Sequence, residues 1–289
     1  MKEHYQLNAL TDNEGRRTRI VDGHFKSLLV VRALLPISGI PLIEGLIVER
    51  FTLLGGEKSY RLRLPDEAIC LDLSLLNELV IFDCRGVKLS KLNISATPKL
   101  SGLVCGLNDL ISVDLSRTPN LKLLFCYGNG LIDLDLSKVT GLAMLGCWDN
   151  HLTSLDLSKV PNLKYLNCNE NQLTSLDLSA ASNLTRLSCL RNHITNLDLS
   201  NVPNLGDLNC DDNRLTALDL SAVPNLTKLS CDDNHITNLD LGAVPELTEI
   251  WCDRNQLSEL DVRGLMKLQF VICLNEKTRI IQRPDQRIG

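Results

Sequence analysis

Three residue types with chemically reactive side chains recur at a fixed spacing of 21 residues, or at twice that spacing. Thiols, carboxylates and imidazoles bind metals, act as nucleophiles and exchange protons, so these columns are the first candidates for function. Ten of the eleven cysteines fall in this register: Cys84, Cys105, Cys126, Cys147, Cys168, Cys189, Cys210, Cys231, Cys252 and Cys273. The aspartates are Asp114, Asp135, Asp156, Asp177, Asp198, Asp219, Asp240 and Asp261, and the histidines are His151, His193 and His235.

The cysteine column has three interpretations. Reduced thiols can pack as small apolar fillers. Disulfides between neighbouring repeats are disfavoured because parallel strands lie about 4.8 Å apart, whereas a disulfide requires Cβ atoms about 3.5–4.5 Å apart. A zinc site needs four converging ligands, and a straight column supplies only a row. We predict reduced, packed thiols, and we expect no metal and no cofactor.

The other two columns also favour structural roles. The histidines are two repeats apart, or about 10 Å, which is too far to share one metal ion. The aspartates can cap turns through a bond to the backbone that follows them; cations bound between them are the alternative, but the glycine-rich calcium repeat is absent. No GxSxG, P-loop, GxGxxG or HExxH occurs. We therefore expect no enzyme, the alternative being an active site near His4 and His24 within residues 1–57.

These columns require a fold that presents the same position once in every turn of a coil. The repeat reads LxxLxCxxNxLxxLDLSxxPN, with its clearest copy at residues 142–162 and a degenerate unit at 58–78. Such a period predicts a solenoid in which each unit buries its apolar side against its neighbours. Full repeats begin at Leu79, Leu100, Leu121, Leu142, Leu163, Leu184, Leu205, Leu226 and Leu247, and a tenth begins at Leu268.

This pattern resembles the leucine-rich repeat family over about 210 of the 289 residues. The 21-residue length, the LDLS segment and the cysteine in place of a leucine are most similar to the bacterial internalin-like subclass. The resemblance implies an α/β-type repeat solenoid, a right-handed coil with a parallel β-sheet on its concave face and short turns or extended segments on its convex face. We expect an N-terminal cap at residues 1–57 and the solenoid at residues 58–289.

Positions within each repeat have distinct predicted roles, counted from its first leucine as position 1. The leucine at position 4 and the cysteine at position 6 point the same way from a strand, and we expect both to face inward. An asparagine at position 9 is predicted to satisfy backbone groups where the chain leaves the strand. These asparagines are Asn108, Asn129, Asn150, Asn171, Asn192, Asn213, Asn234 and Asn255.

Positions 3, 5 and 7 alternate with the inward residues, so we predict that they point out of the concave sheet. Exposed apolar clusters of this kind mark interaction sites, and Trp and Tyr often dominate binding energy. The alternative is that the cap or a flanking loop covers them. The apolar residues at these positions are Val104, Leu123, Phe125, Tyr127, Met144, Trp148, Tyr165, Trp251, Phe270 and Ile272.

Acidic residues occupy the same predicted face between and beyond the apolar clusters. Asp211, Asp232 and Asp253 stand at position 7 of three successive repeats. The face is either simply solvated or steers a basic partner. The formal charge of −5 disfavours a nucleic-acid partner. We therefore predict that these three aspartates bind a protein partner together with the apolar residues of repeats two to five and Trp251.

The sequence therefore predicts a non-enzymatic module that binds a protein partner. The N-terminal residues do not resemble a secretory signal, and residues 27–54 carry too many charges to span a membrane. Eleven cysteines without an export signal favour a reducing compartment. We expect a cytoplasmic bacterial inhibitor, immunity or adaptor protein. The alternative is a bacterial effector or adhesin that recognises a host protein and is delivered without a cleavable signal.

Overall fold

The computed structural model describes residues 80–86, 88–273 and 278–286 with their side chains. It also describes the backbones of five strands nearer the N-terminus, within residues 8–72. The chain forms two compact units, Met1–Thr140 and Gly141–Gly289. The expected cap at residues 1–57, with His4 and His24, lies largely outside the described residues, and its boundary stays a prediction.

The first unit contains short strands, most of them parallel. Strands β1 and β2 form an antiparallel pair, as do β3 and β4, and then β4, β6, β8 and β9 pair in parallel. Strand β5 pairs in parallel with β7 in a separate two-stranded sheet. The strands are β1 Asn8–Thr11, β2 Arg17–Ile20, β3 Ile47–Thr52, β4 Lys58–Arg63, β5 Cys70–Asp72, β6 Ile81–Asp83, β7 Lys91–Asn93, β8 Gly102–Val104 and β9 Leu123–Phe125.

The second unit is a regular parallel-strand solenoid. Strands β10 to β15 pair in parallel in chain order, β17 follows β15, and β16 pairs with β18 on a second sheet. From β10 to β15 and on to β17, each partner residue lies 21 positions further along, so identical repeat positions stand side by side. The strands are β10 Met144–Gly146, β11 Tyr165–Asn167, β12 Arg186–Ser188, β13 Asp207–Asn209, β14 Lys228–Ser230, β15 Glu249–Trp251, β16 Glu259–Asp261, β17 Phe270–Ile272 and β18 Arg279–Ile281.

The core consists of the leucines and cysteines of the repeat. In the repeat that starts at residue 163, Leu166 and Cys168 are fully buried, as predicted for positions 4 and 6. Leu173, Leu176 and Leu178 complete the interior from the other walls of the coil. Each buried leucine contributes about 1.5–3 kcal/mol to folding. The interior is thus continuous within the unit because every repeat supplies the same set.

The asparagine column bonds the backbone as predicted. The Asn171 Nδ2 donates to the carbonyl oxygens of Cys168 in its own repeat, at 3.1 Å, and of Cys147 in the preceding repeat, at 3.0 Å. Its Oδ1 accepts the Leu152 N–H at 3.0 Å. Asn192, Asn213 and others repeat this arrangement. Buried backbone groups need partners, and one amide here serves two adjacent repeats.

The aspartate column caps turns as predicted. The Asp156 carboxylate accepts the backbone N–H of Ser158 at 2.8 Å, and Asp198 accepts that of Ser200 at 2.9 Å. This backbone hydrogen bond lowers the pKa of Asp156 and likewise of Asp198. The negative charges on this surface therefore have a local structural role that explains their regular spacing.

Candidate protein-binding surface

Positions 3, 5 and 7 form what we call the open face of each unit, the sheet face that does not meet the core. Most strands of the second unit show a buried central residue between two more accessible neighbours, as in Tyr165–Asn167 and Glu249–Trp251. None of the eleven residues predicted to bind a partner is buried. Their outward placement agrees with the alternation that the sequence predicts, while their role in binding stays a prediction.

The predicted apolar set divides between the two units. Val104, Leu123, Phe125 and Tyr127 belong to the first unit, where all four are half-buried. In the second unit, Met144 is 37% exposed. Trp148 and Tyr165 are half-buried there.

Tyr127 is held by a contact that the sequence did not predict. Gly106 stands at position 7 of the preceding repeat, and a Cβ atom there would lie 2.6 Å from the Tyr127 ring. The missing side chain therefore lets the ring lie across the backbone of Gly106. Hydrogen bonds to Asp83 and to Tyr127 raise the pKa of Arg85. Tyr127 is thus partly engaged inside the first unit.

Asp83 and Arg85 form a two-pronged ion pair on the open face of the first unit. The Arg85 Nε donates to one carboxylate oxygen of Asp83 at 2.9 Å, and its Nη2 donates to the other at 2.6 Å. Asp83 is 2% exposed, so this charge is buried and matched. Paired geometry of this kind is the strong form of a charge-assisted hydrogen bond.

The position-7 aspartates of the second unit accept hydrogen bonds from the next repeat. The Asp211 carboxylate accepts the Ser230 Oγ–H at 2.7 Å and the Asp232 N–H at 2.8 Å. Asp232 in turn accepts the Asp253 N–H at 2.6 Å. Burial, with added repulsion from Asp211 and Asp253, raises the pKa of Asp232 to about 6. Burial also raises the pKa of Asp211.

Cross-strand ion pairs neutralise part of the acidic face. Lys228 contacts Glu249 at 2.8 Å, and Arg254 contacts Asp233 at 2.6 Å and Asp253 at 3.9 Å. The cation of each pair is exposed, so each pair contributes at most about 1 kcal/mol. Their main effect is to fix which carboxylates stay without a cation.

Trp251 lies beside these carboxylates at position 5 of its repeat. Its ring is 5.7 Å from that of Phe270, with an angle of 53° between the ring planes. A depression of about 390 Å³ is lined by Asp211, Asp232 and Trp251 together with neighbouring residues of β13 to β15. An aromatic wall and several carboxylates therefore border one depression on the open face of the second unit.

Position 8 has an unusual backbone that the sequence did not reveal. It is left-handed in each described repeat that contains it, with φ of 55° at Leu107 and 50° at Asp212. Only glycine adopts this region without strain, and Asn and Asp tolerate it. Leu, Arg and Glu also occupy position 8 here, so residue type alone did not indicate the conformation. The position projects side chains from the edge of the open face, and Leu107 is 56% exposed.

The cysteines are free thiols in the described part of the chain. The nine from Cys84 to Cys252 are buried, and burial raises the pKa of Cys105 and of Cys168 well above the ordinary value. Cys273 differs because it is half-buried and a hydrogen bond with the Cys252 thiol lowers its pKa to about 7. The prediction that the cysteine column packs inside the coil is therefore confirmed for the buried nine.

The other candidate reactive side chains in the described part of the chain do not form a cluster that could hold a metal ion. His151, His193 and His235 are all exposed, as expected for rim positions. Among residues 80–86, 88–273 and 278–286, no three or more His, Cys, Asp or Glu side chains are arranged to hold a metal ion. A search of the same residues for a helix of sufficient length and apolarity to cross the bilayer identifies none.

Comparison with known proteins places this geometry in a structural context. The family model for leucine-rich repeats in two copies matches residues 140–180. A sequence comparison with curated proteins gives no significant match.

Two solved structures are similar over most of the chain. The functional domain of InlJ from Listeria monocytogenes, which includes a cysteine ladder, is 33% identical with a TM-score of 0.70; the match covers 76% of this chain and 48% of that one. A leucine-rich repeat protein of Leptospira interrogans is 23% identical with a TM-score of 0.59, covering 72% of this chain and 62% of that one. The chain therefore spans about half the length of the InlJ domain.

Proposed function

Because the chain is a leucine-rich repeat protein with 21-residue, cysteine-bearing repeats, we propose that it binds a protein partner on the open face of its second unit. Leucine-rich repeat proteins of this kind mediate protein–protein interactions and are typically not enzymes. The proposed partner carries a basic surface that complements the acidic residues of this face. Recognition, and not catalysis, is the proposed activity.

One observation carries the proposal: the open face is preformed. Its backbone is tied from strand to strand, as in the Cys189 N–H donating to the Asn209 carbonyl at 2.8 Å. The side chains at positions 3, 5 and 7 meanwhile remain accessible. A rigid surface loses little conformational entropy on binding, so more of the contact energy appears as affinity.

The cysteine column supports a reducing compartment as the place of action. The chain has eleven cysteines, and the nine buried ones form a ladder whose strand spacing disfavours disulfides. Cysteine-rich chains that act in oxidising compartments usually form disulfides. Within the proposed function we therefore favour a cytoplasmic inhibitor, immunity or adaptor protein that acts by occupying its partner.

Affinity capture tests the proposal with variants matched in the number of substitutions. The full chain is immobilised in lysate beside a Trp251→Ala, Glu249→Ala double variant and a Lys159→Ala, Asp156→Asn control on the turn surface. We expect the specifically captured proteins to be lost with the first variant and kept with the control. Identical capture by all three would contradict the proposal, provided that thermal unfolding shows each chain to be folded.

A further inference from the structure

Two carboxylates of the depression beside Trp251, those of Asp211 and Asp232, form no ion pair in the described part of the chain. Asp211 and Asp232 receive hydrogen bonds from a hydroxyl and from backbone N–H groups, which carry no net charge. Neither forms an ion pair with any residue in the described part of the chain. Lys228 borders the same depression, but its Nζ lies 2.8 Å and 3.0 Å from the two carboxylate oxygens of Glu249.

The fold does not require these negative charges. Asn169 stands at the same repeat position, and its Oδ1 accepts the N–H of Leu190 at 2.8 Å, as Asp211 accepts that of Asp232. An uncharged amide therefore accepts the same backbone N–H. Partly burying an unpaired carboxylate opposes folding, and the raised pKa of Asp232 reflects this desolvation.

The negative charge opposes folding and is not needed for the hydrogen bond. Binding of a cationic ligand would account for its presence. Two carboxylates on adjacent strands are about 4.8 Å apart, a separation that the planar fork of a guanidinium can bridge. The guanidinium also stacks on aromatic faces, and Trp251 lines the same depression. The compact ammonium of a lysine does not match this arrangement as well.

We infer that the depression between β13, β14 and β15 binds an arginine side chain of the protein partner, with its cation against Asp211 and Asp232 and its plane on Trp251. Lys228 stays on Glu249 and leaves the two aspartates to the incoming group. This inference rests on the proposed function, because it names the group by which a protein partner would be recognised. It adds the specific requirement that this group be a guanidinium.

Small probes test the pocket without knowledge of the partner. N-acetyl-arginine amide and N-acetyl-citrulline amide, which have the same shape but differ in charge, are titrated into the full chain. Binding is followed by the indole N–H signal of Trp251, assigned with Trp251→Phe. We expect arginine to bind in the millimolar range, as its size allows, and citrulline about tenfold more weakly because the charge-assisted contact is lost. An equal response to both probes overturns the inference.

Isosteric variants remove the charge and keep the fold. Asp211→Asn with Asp232→Asn preserves the oxygen acceptors, as Asn169 does in its own repeat. Asp177→Asn with Asp198→Asn changes the net charge equally on the turn surface. We expect arginine binding to weaken about tenfold in the first variant and to persist in the second. Unchanged binding in the first variant overturns the inference.

The outcomes separate this inference from the function on which it rests. Protein capture that depends on the open face, without selective arginine binding, overturns the arginine pocket and leaves the proposed function intact. Selective arginine binding without capture of any protein supports the pocket and counts against the proposed function. Both results together support both.

Discussion

The two units use charge on their open faces in opposite ways. In the first unit, the buried Asp83 is bound through both of its oxygens by Arg85. In the second unit, Asp211 and Asp232 accept hydrogen bonds only from uncharged groups. The same repeat geometry therefore presents an ion-paired carboxylate in the first unit and carboxylates without an ion pair in the second. Neighbouring side chains decide whether a residue on the open face remains free for recognition.

Removal of the matched carboxylate in the first unit is expected to have the largest effect. Asp83→Asn leaves the Arg85 guanidinium without its ion pair, and we expect a loss of about 2–3 kcal/mol in unfolding free energy. The value is below that for a fully buried pair because the Arg85 side chain is 33% exposed. Urea unfolding measures it, and Asp211→Asn is the matched change in the second unit. Equal destabilisation by both would remove the contrast between the units.

The contact between Gly106 and Tyr127 offers a second test in the first unit. Gly106→Ala places a methyl group 2.6 Å from the ring, so the ring must move. We expect a loss of about 1–2 kcal/mol and a change in Tyr127 fluorescence or chemical shift. Gly206→Ala in the second unit is the control, because its nearest atoms would be 3.8 Å away. A ring that keeps its signals in Gly106→Ala would show that it does not lie over the glycine.

The dependence of stability on pH tests the contrast between the units through a carboxylate of the second unit. The folded pKa of Asp232, about 6, exceeds the ordinary value of 3.8, so the folded chain holds this proton more tightly than the unfolded chain. The resulting stabilisation is complete below the ordinary pKa and is lost as pH rises through 6. Solvent screening reduces the expected loss between about pH 4 and pH 7 to about 1 kcal/mol.

Asp232→Asn should remove this part of the pH dependence while keeping the acceptor for the Asp253 N–H. Burial is the main cause of the raised pKa of Asp232; among the neighbouring charges, Asp211 and Asp253 raise it further and Arg254 lowers it. Urea midpoints at several pH values, for wild type and variant, measure the difference. Parallel pH profiles for the two proteins would be inconsistent with a desolvated carboxylate at this position.

Most of the fold could be predicted because the repeat displays each structural role many times. One copy of an asparagine or an aspartate is ambiguous, but a column of them at constant spacing indicates a ladder. The inward direction of Leu166 and Cys168 followed from strand alternation alone. The period, the core and the turn caps are therefore properties of the repeat, and they can be predicted because many copies of it occur in register.

The candidate surface was less predictable because it depends on departures from the repeat. The ring of Tyr127 lies over Gly106, and that contact depends on a missing side chain one repeat earlier. Asp211 was predicted as an acidic residue that binds a partner, and the sequence did not show that it also accepts the N–H of Asp232. Such contacts join residues 19 to 21 positions apart whose identities vary, so no column in the sequence displays them.

The reach of the asparagine amides sets how this protein can change in length. Asn192 bonds the carbonyl of Cys168 and the N–H of Leu173, both in the repeat immediately before its own. The amides of Asn171, Asn213 and Asn234 likewise bond a carbonyl of the immediately preceding repeat. Excision of residues 184–204 would therefore place Cys168 and Leu173 at the repeat positions where the Asn213 amide now bonds Cys189 and Ile194. Gene duplication or deletion in whole multiples of the period can thus resize the binding surface while keeping the asparagine hydrogen bonds between neighbouring repeats.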